Sequence, residues 1–515
     1  MPIVPAGTLN TTALVVPDLY VQIVPPAVAT LNGVPTNILG MVGTASWGPV
    51  NKPVIVGSMS DYAANFGPIV NRTNDLGTSL AIAVLQGANN FRCVRVTDST
   101  DVAATGKFGG TTADITFTAL YTGSLGNQIT VSLAAGGAAS SWTVTIGIPG
   151  YQPEVFTNIT GSGATFWSNL ANAINNGQGA LRGPSQIITA TAGTGTDTPI
   201  AESVTLAGGT DGASSVTAQD VVGTDVSPRT GMYVLRGQGC SVGLLCDVTD
   251  TSTWTEQVAF GLGEGIYMIS AIAAGTSVST AVTDAQTAGV DSYALKIMHG
   301  DWLYWYDQTN KVYRLVSPAA FAAGRLVNLS PEQSSLNKPL YGIVGSQTYG
   351  LPGSSTAHHY ASADLQALFS AGIDVITNPI PGGPIWGVRG GINSSLSADV
   401  NGDNYTRMTN YIAATLNAGM GTYIGRLITG SLFSSIKATL TGFLNGLLQQ
   451  GMLGDPTQTP VPFSVKCDTT NNPQNRTALG YVQADTQVQY AGINKFFLVN
   501  LQGGQTVTVT PATSP

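Results

Sequence analysis

Two short strand-forming segments stand at opposite ends of this 515-residue chain, each cut off from its surroundings by residues that interrupt a sheet. Near the start, Leu19, Val21 and Ile23 alternate with Tyr20, Gln22 and Val24 between Pro17 and the pair Pro25-Pro26. Near the end, Thr506, Val507, Thr508, Val509 and Thr510 alternate strictly behind Gly503-Gly504 and ahead of Pro511. Proline has no N–H to give to a ladder, and a Gly-Gly pair is a hinge, so neither segment can pair with what adjoins it in sequence. A lone strand needs a sheet to join. Both are therefore read as extended arms whose partners lie elsewhere.

Between the arms the pattern is α/β. Ile38 to Val42 is a continuous apolar run, Val54 to Gly57 a second short strand, and Asp75 opens a helix carrying Leu76, Leu80, Val84 and Leu85 ahead of a strand from Arg92 to Val96. Alternation of helix with buried strand predicts layered packing. The composition changes near residue 105. From 105 to 209 the text is Thr, Ser, Gly and Ala with alternating strands at 115–121, 128–133 and 142–148 and one helix at 166–175, which predicts an inserted β-rich domain. The body returns with strands at 232–235 and 242–248, a helix over 253–263, a helix capped by Ser362 and a strand at 373–378. Over 431–451, Phe433, Ile436, Leu440, Phe443, Leu444, Leu447 and Leu448 recur at spacings of three and four, which predicts an amphipathic helix. The expected division is an arm at 1–27, body at 28–104, insert at 105–209, body at 210–400, a further domain at 401–495 and an arm at 496–515.

Charged residues make up only 9% of the chain, against about 25% in an ordinary globular protein. A surface coated with Ser, Thr, Asn, Gln and Gly stays wet without strong electrostatic repulsion, so copies can pack closely. The net charge of −8 and the absence of any Lys/Arg cluster argue against nucleic acid as partner. No window is apolar enough to span a bilayer and the N-terminus has no secretory-signal pattern, so a soluble product with no membrane contact of its own is expected. Cys93, Cys240, Cys246 and Cys467 show no metal spacing and are expected to be buried thiols.

The search for chemistry yields little. His358-His359 are adjacent and diverge on any regular element, and His299 is isolated. Gly237, Gly239 and Gly243 miss the dinucleotide fingerprint by one residue. Asp247 and Asp250 follow a strand, where α/β sheets keep their sites, but no base, metal ligand or cofactor motif accompanies them. No nucleophile elbow or phosphate-binding lysine loop is present. The aromatic run WLYWYDQTNKVYRL at 302–315 reads as a hairpin across DQTN, with core or subunit interface the expected use of its rings. No catalytic residue, metal or cofactor is expected.

Several stretches in order resemble the contractile tail sheath family of phage tails and related injection machines. They are GTASWGPVNKP at 43–53, AIAVLQGANNFRCVRV at 81–96, LAGGTDG at 206–212, TGMYVLRGQGCSVGLLCDV at 230–248, SPAAFAAGRLVNLSPEQSSLNKP at 317–339, GIDVITNPIPGGPIWGVRG at 372–390 and NYTRMTNYIAATL at 404–416. The resemblance covers most of the chain outside 105–209. It implies an α/β multidomain sheath body with a protruding β-rich insert and N- and C-terminal arms. It further implies a homo-oligomer of stacked sixfold rings around an inner tail tube, meeting baseplate and tail terminator proteins. Such a product would be made in a bacterial cytoplasm and built into a virion tail, contracting to drive the tube through a target envelope. The arm strands Leu19–Val24 and Thr506–Thr510 would then add to neighbours' sheets, and Arg426 and Lys437 are the residues expected to face the tube. Sequence alone leaves two other readings open, a surface β-rich adhesin and an α/β hydrolase.

Overall fold

The computed structural model describes residues 3–4, 21–22, 31–110, 112–180, 182–354, 358–454, 461–503 and 505–506. They divide into two compact units, one spanning Asn32–Ile424 and one drawn from Met1–Leu31 with Gly425–Pro515. In the smaller unit, β1 (Ile3–Val4) and β2 (Val21–Gln22) form a short parallel ladder, with Ile3 opposite Val21.

The larger unit opens with β3 (Leu39–Gly43), followed by β4 (Pro53–Val56), helices α1 (Met59–Phe66) and α2 (Leu76–Leu85), and β5 (Phe91–Arg95). Every residue of β3 is buried, as expected of a strand covered on both faces. Ser58 and Asp75 cap α1 and α2, their side chains accepting from Asp61 N and Thr78 N. The chain then leaves for the insert. Its strands are β6 (Thr105–Phe108), β7 (Ile115–Ala119), β8 (Thr130–Ala135), β9 (Trp142–Gly147) and β10 (Glu154–Ile159), then helix α3 (Gly163–Asn176), then β11 (Ile188–Ala192) and β12 (Glu202–Thr205). They make two antiparallel sheets, in the orders β10-β9-β8-β12 and β11-β7-β6. Inward residues alternate along β7, and Phe166, Trp167 and Leu170 of α3 close a core separate from that of the body.

The body resumes with α4 (Ala218–Val222), a 3-10 turn over Gly231–Leu235, β13 (Val242–Leu245), α5 (Trp254–Glu264), β14 (Tyr267–Ala271), α6 (Val278–Ala288) and β15 (Leu295–Met298). A hairpin follows, β16 (Leu303–Asp307) and β17 (Val312–Val316), then α7 (Pro318–Asn328), β18 (Ile343–Ser346), α8 (Ser362–Ser370), the short strands β19 (Ile373–Asp374), β20 (Ile376–Thr377) and β21 (Gly387–Val388), and α9 (Asp403–Gly419). The central sheet has the order β19-β15-β14-β13-β3-β5-β4, parallel except for β4 at one edge. Leu39, Met41, Val242, Leu244, Tyr267 and Ile269 face the layer that includes α2 and α7, while Val42, Leu245, Met268, Leu295 and Ile297 face the layer that includes α5, α6 and α8. The two helices of the first layer cross closely. A Cβ on Gly324 of α7 would lie 2.6 Å from the Cα of Ala83 in α2, so any larger residue would push them apart.

Three local expectations differ from what forms. MYVL at 232–235 is a 3-10 turn rather than a strand, since its spacing of three buries Met232 and Leu235 together, and short apolar runs do not separate the two. The 373–378 strand breaks after Asp374, whose carboxylate accepts from the next amide, Val375 N, and from Gly390 N; the chain leaves the parallel sheet, and β20 pairs antiparallel with β21 instead. Ser362 lies inside α8; the cap is Ala361, whose N–H is held by the Asp364 carboxylate at 3.2 Å.

The expected division at 400/401 also moves. α9 belongs to the larger unit, which runs to Ile424. Its first residue, Asp403, accepts from Tyr267 Oη at 2.7 Å and from Lys296 Nζ at 3.1 Å, and also from the Ser335 amide and hydroxyl. Lys296 Nζ also donates to Asp374 Oδ2 at 2.6 Å and to Ile392 O at 2.8 Å, so its three N–H groups are all used. All three charged side chains are fully buried. Burial alone would strip the proton from Lys296, but the two carboxylates hold its pKa up, and Lys296 in turn holds Asp403 down.

In the smaller unit α10 (Gly430–Gln449) buries Leu432, Phe433, Ile436, Leu440, Phe443, Leu444 and Leu447, largely the predicted stripe. It packs on β22 (Phe463–Lys466), which pairs antiparallel with β23 (Asp485–Val488); a short α11 (Gln474–Thr477) lies between them in sequence.

Candidate assembly surfaces

Of the N-terminal arm residues, Val21 and Gln22 are strand residues, and their ladder with Ile3–Val4 is only two residues long. Leu19, Tyr20, Ile23 and Val24 lie outside the described residues, as do Val507, Thr508, Val509 and Thr510; Thr506 sits in an exposed turn. A stronger feature precedes that turn. Phe496, Phe497, Leu498, Val499 and Leu501 are 92, 84, 82, 66 and 91% exposed, and none belongs to a helix or strand. Single exposed apolar residues are ordinary, but five in six consecutive positions are not. In the sequence it is a run of aromatic and branched residues without proline or a regular period, and its exposure is what sets it apart.

Lys437 is exposed on α10, opposite the buried stripe, and its field reaches Asp468. That carboxyl is held below its usual range mainly by the Thr470 hydroxyl and amide, with Lys466 and Lys437 adding to the effect. Arg426 is exposed beside Leu427, which is 86% exposed, so the basic group sits next to apolar surface.

The central sheet reverses its winding between β3 and β13, the position at which α/β sheets usually open a crevice at the strands' carboxyl ends. Here the protein's own side chains fill it. Asn74 N donates to Asp247 Oδ2 at 3.1 Å, Asn74 Nδ2 to Cys246 O at 2.7 Å, and Thr44 Oγ1 to Asn74 O at 3.1 Å. A Cβ on Gly43 would meet Asn74 O at 2.7 Å, which is why the strand ends in glycine. Burial pushes the Asp247 carboxyl up to about 6 despite the Asn74 hydrogen bond, and burial raises Asp75 as well. Asp250 does not join them. It caps the following turn through Ser252 N at 2.9 Å.

The remaining candidates are dispersed over the fold. His299 is buried and pushed down to about 4 by desolvation. His358 and His359 are exposed at the mouth of a cavity of about 300 Å³, where His359 Nδ1 lies 3.2 Å from Asn378 O and its ring meets Tyr349 edge-on. No cluster of metal-ligating side chains occurs among the described residues. The hairpin across DQTN forms as read: the Asp307 carboxylate accepts from Thr309 N, Asn310 N and Arg314, Leu303 and Trp305 point inward, and the ring of Tyr306 lies tilted by 59° against that of Tyr313 outside, at 5.0 Å. All four cysteines are free and buried. Among the described residues no helix is long and apolar enough to cross a membrane.

The join between body and insert explains two of the glycine-rich stretches. The chain leaves and returns side by side, with Val102 bridging Thr210 and Thr105 bridging Ala207. Arg95, fully buried at the end of β5, donates to Gly48 O at 2.8 Å, Thr122 O at 2.7 Å and Asp211 O at 3.1 Å. The Asp211 carboxylate meets Arg72 Nη1 and Ser124 N, both at 2.5 Å. Trp47, in the GTASWGPV turn of the body, is buried within the insert's core and packs edge-on to Tyr121 at 5.4 Å.

No family model matches the sequence, and no curated protein is similar to it in sequence. Solved structures do share the fold. A sheath tail protein from Listeria innocua is 15% identical with a TM-score of 0.60, covering 85% of this chain and 90% of its own. Another from Desulfitobacterium hafniense is 16% identical with a TM-score of 0.57, covering 87% and 95%. The sheath of an extracellular contractile injection system, PVC, in its contracted state is 10% identical with a TM-score of 0.55, covering 96% and 99%. The chain therefore has the sheath-protein fold, a multidomain α/β architecture, along nearly its whole length.

Proposed function

We propose that this protein is the structural subunit of a contractile tail sheath, polymerising around an inner tube and shortening to drive that tube through a target envelope. The carrying observation is the sheath fold over nearly the whole chain, in a molecule whose C-terminal run of apolar residues is left uncovered. Those residues belong in contact with another copy, since aromatic side chains fully exposed to water forgo about 1.5–3 kcal/mol each.

The arms work by strand addition. Residues Leu19–Val24 and the C-terminal arm supply main-chain hydrogen bonds to neighbouring copies, at roughly 0.5–1.5 kcal/mol net per bond, largely independent of side chain. Repeated head to tail, such an interface builds a helical polymer, and sixfold rings are its expected unit. Rigid faces then repack during contraction while the arms stay paired. The drive is relaxation of a metastable extended lattice, and no residue of the chain is assigned a catalytic role. Arg426 and Lys437 face the tube, and baseplate and terminator proteins cap the two ends. The filled crevice between β3 and β13 supports a scaffold over a hydrolase, and the α/β body supports it over an adhesin. The polymer is part of a tail assembled from subunits made in the host cytoplasm.

Negative-stain microscopy of the purified protein, alone and with its tube protein, tests the reading. Long striated tubes are expected; a monodisperse monomer under all conditions that assemble the tube would refute it.

A further inference from the structure

We infer that an apolar cavity at the amino-terminal ends of β3 and β13 receives the Phe496–Leu501 segment of a second copy of this chain, with a main-chain carbonyl of that segment accepting from Asn410 Nδ2. The inference rests on the polymer reading above and adds to it a specific socket. The cavity measures about 430 Å³ and is lined by apolar groups including Ile38, Leu235, Cys240, Ile266 and Ala414. That is the size and character of a pocket that takes a compact apolar group.

Its charged neighbours are already engaged, and a buried amide is not. Arg407 gives its guanidinium to Ser330 O at 2.9 Å and Leu329 O at 2.8 Å, and Glu264 accepts from Arg236 Nε at 2.7 Å. Asn410 Nδ2 is buried and meets no acceptor among the described residues. A buried N–H without a partner is costly, so the site asks for an acceptor carried on an apolar body. An extended peptide with large side chains has that composition. Phe496–Leu501 is such a peptide: its apolar side chains are exposed, and its carbonyls belong to no helix or strand.

The glycines of GQGCSVG acquire a purpose in this arrangement. Gly237 has φ of +73° and an added Cβ there would meet nothing within 4 Å, so the turn leaves open space beside the cavity where a side chain would intrude. The motif that failed as a nucleotide loop is thus a wall of the socket.

The test uses the full-length chain carrying Phe496→Ala and Phe497→Ala, which disables its own segment, and a fluorescein-labelled peptide of residues 494–503. Saturable binding is expected by anisotropy. Adding Ala414→Trp, which fills the cavity, should weaken it by at least about tenfold, and Asn410→Leu by a smaller factor at unchanged melting temperature. Ala418→Trp at the rim serves if the first variant fails to fold. Absent binding, or binding that neither cavity variant alters, overturns the inference. Tubes in the microscope without peptide binding would leave the sheath reading standing and remove the socket; peptide binding without tubes would do the reverse.

Discussion

The larger unit and the C-terminal segment solve opposite problems with the same sparse supply of charge. Within Asn32–Ile424 even a lysine and two aspartates at the sheet's far side are wholly buried and mutually satisfied, and the crevice between β3 and β13 is closed by Asn74, Thr44 and Asp247. At 496–501 five apolar side chains stand in water. A surface with few charges tolerates both, because neither close packing nor exposed apolar residues meet strong repulsion. One region is finished by its own fold; the other is left open to water.

That contrast can be broken from either end. Removing residues 496–515 should abolish polymer formation altogether while leaving the melting transition of the larger unit in place, measured by sedimentation and calorimetry. Loss of both together would mean that the segment also completes its own subunit. Lys296→Met should cost about 3–5 kcal/mol in denaturant unfolding, because it strands two buried carboxylates. A much smaller loss would show that the Lys296, Asp374 and Asp403 node is not the fastener that its geometry implies.

Asp211→Ala should cost about 1–3 kcal/mol by releasing Arg72 and the Ser124 amide. The insert is expected to become susceptible to proteolysis near 100 and 212 before the body does. Excising the insert calls for Trp47→Ser as well, since that ring otherwise loses its cover; the paired variant should still form tubes.

A further effect, of similar size, has the opposite sign. Asp247 keeps its proton in the folded state up to about pH 6, whereas an unfolded aspartate loses it near 3.9, so folding stability falls as pH rises through that window. Asp247→Asn should therefore stabilise the protein by about 1–3 kcal/mol at pH 7.5, with the gain vanishing near pH 4. The residue has φ of +53°, a conformation that asparagine accepts readily.

Periodicity made the body's strands and the α10 stripe legible, because a sheet covered on both faces and a half-buried helix leave repeats of composition that no partner has to supply. The shift to Thr, Ser and Gly marks the stretch that carries the strands β6 to β12. What escaped were features set by distant contacts: Trp47 crossing into the insert's core, Asp374 turning its strand aside, and Asp403 holding α9 to the body. The arms divide in the same way. Alternation at 506–510 drew attention, while the bulkier run at 496–501 has no period and shows its meaning only when nothing covers it.

Arg95 carries a further implication. Its guanidinium grips Gly48, Thr122 and Asp211 through their carbonyl oxygens, which every amino acid possesses. A clasp of that kind recognises where the backbone runs and is indifferent to lettering, so the side-chain ties that an exchanged insert would have to replace are Trp47 in its core and the Asp211 carboxylate on Arg72 and Ser124. For anyone wishing to graft a module onto this body, the place to cut and splice is already marked.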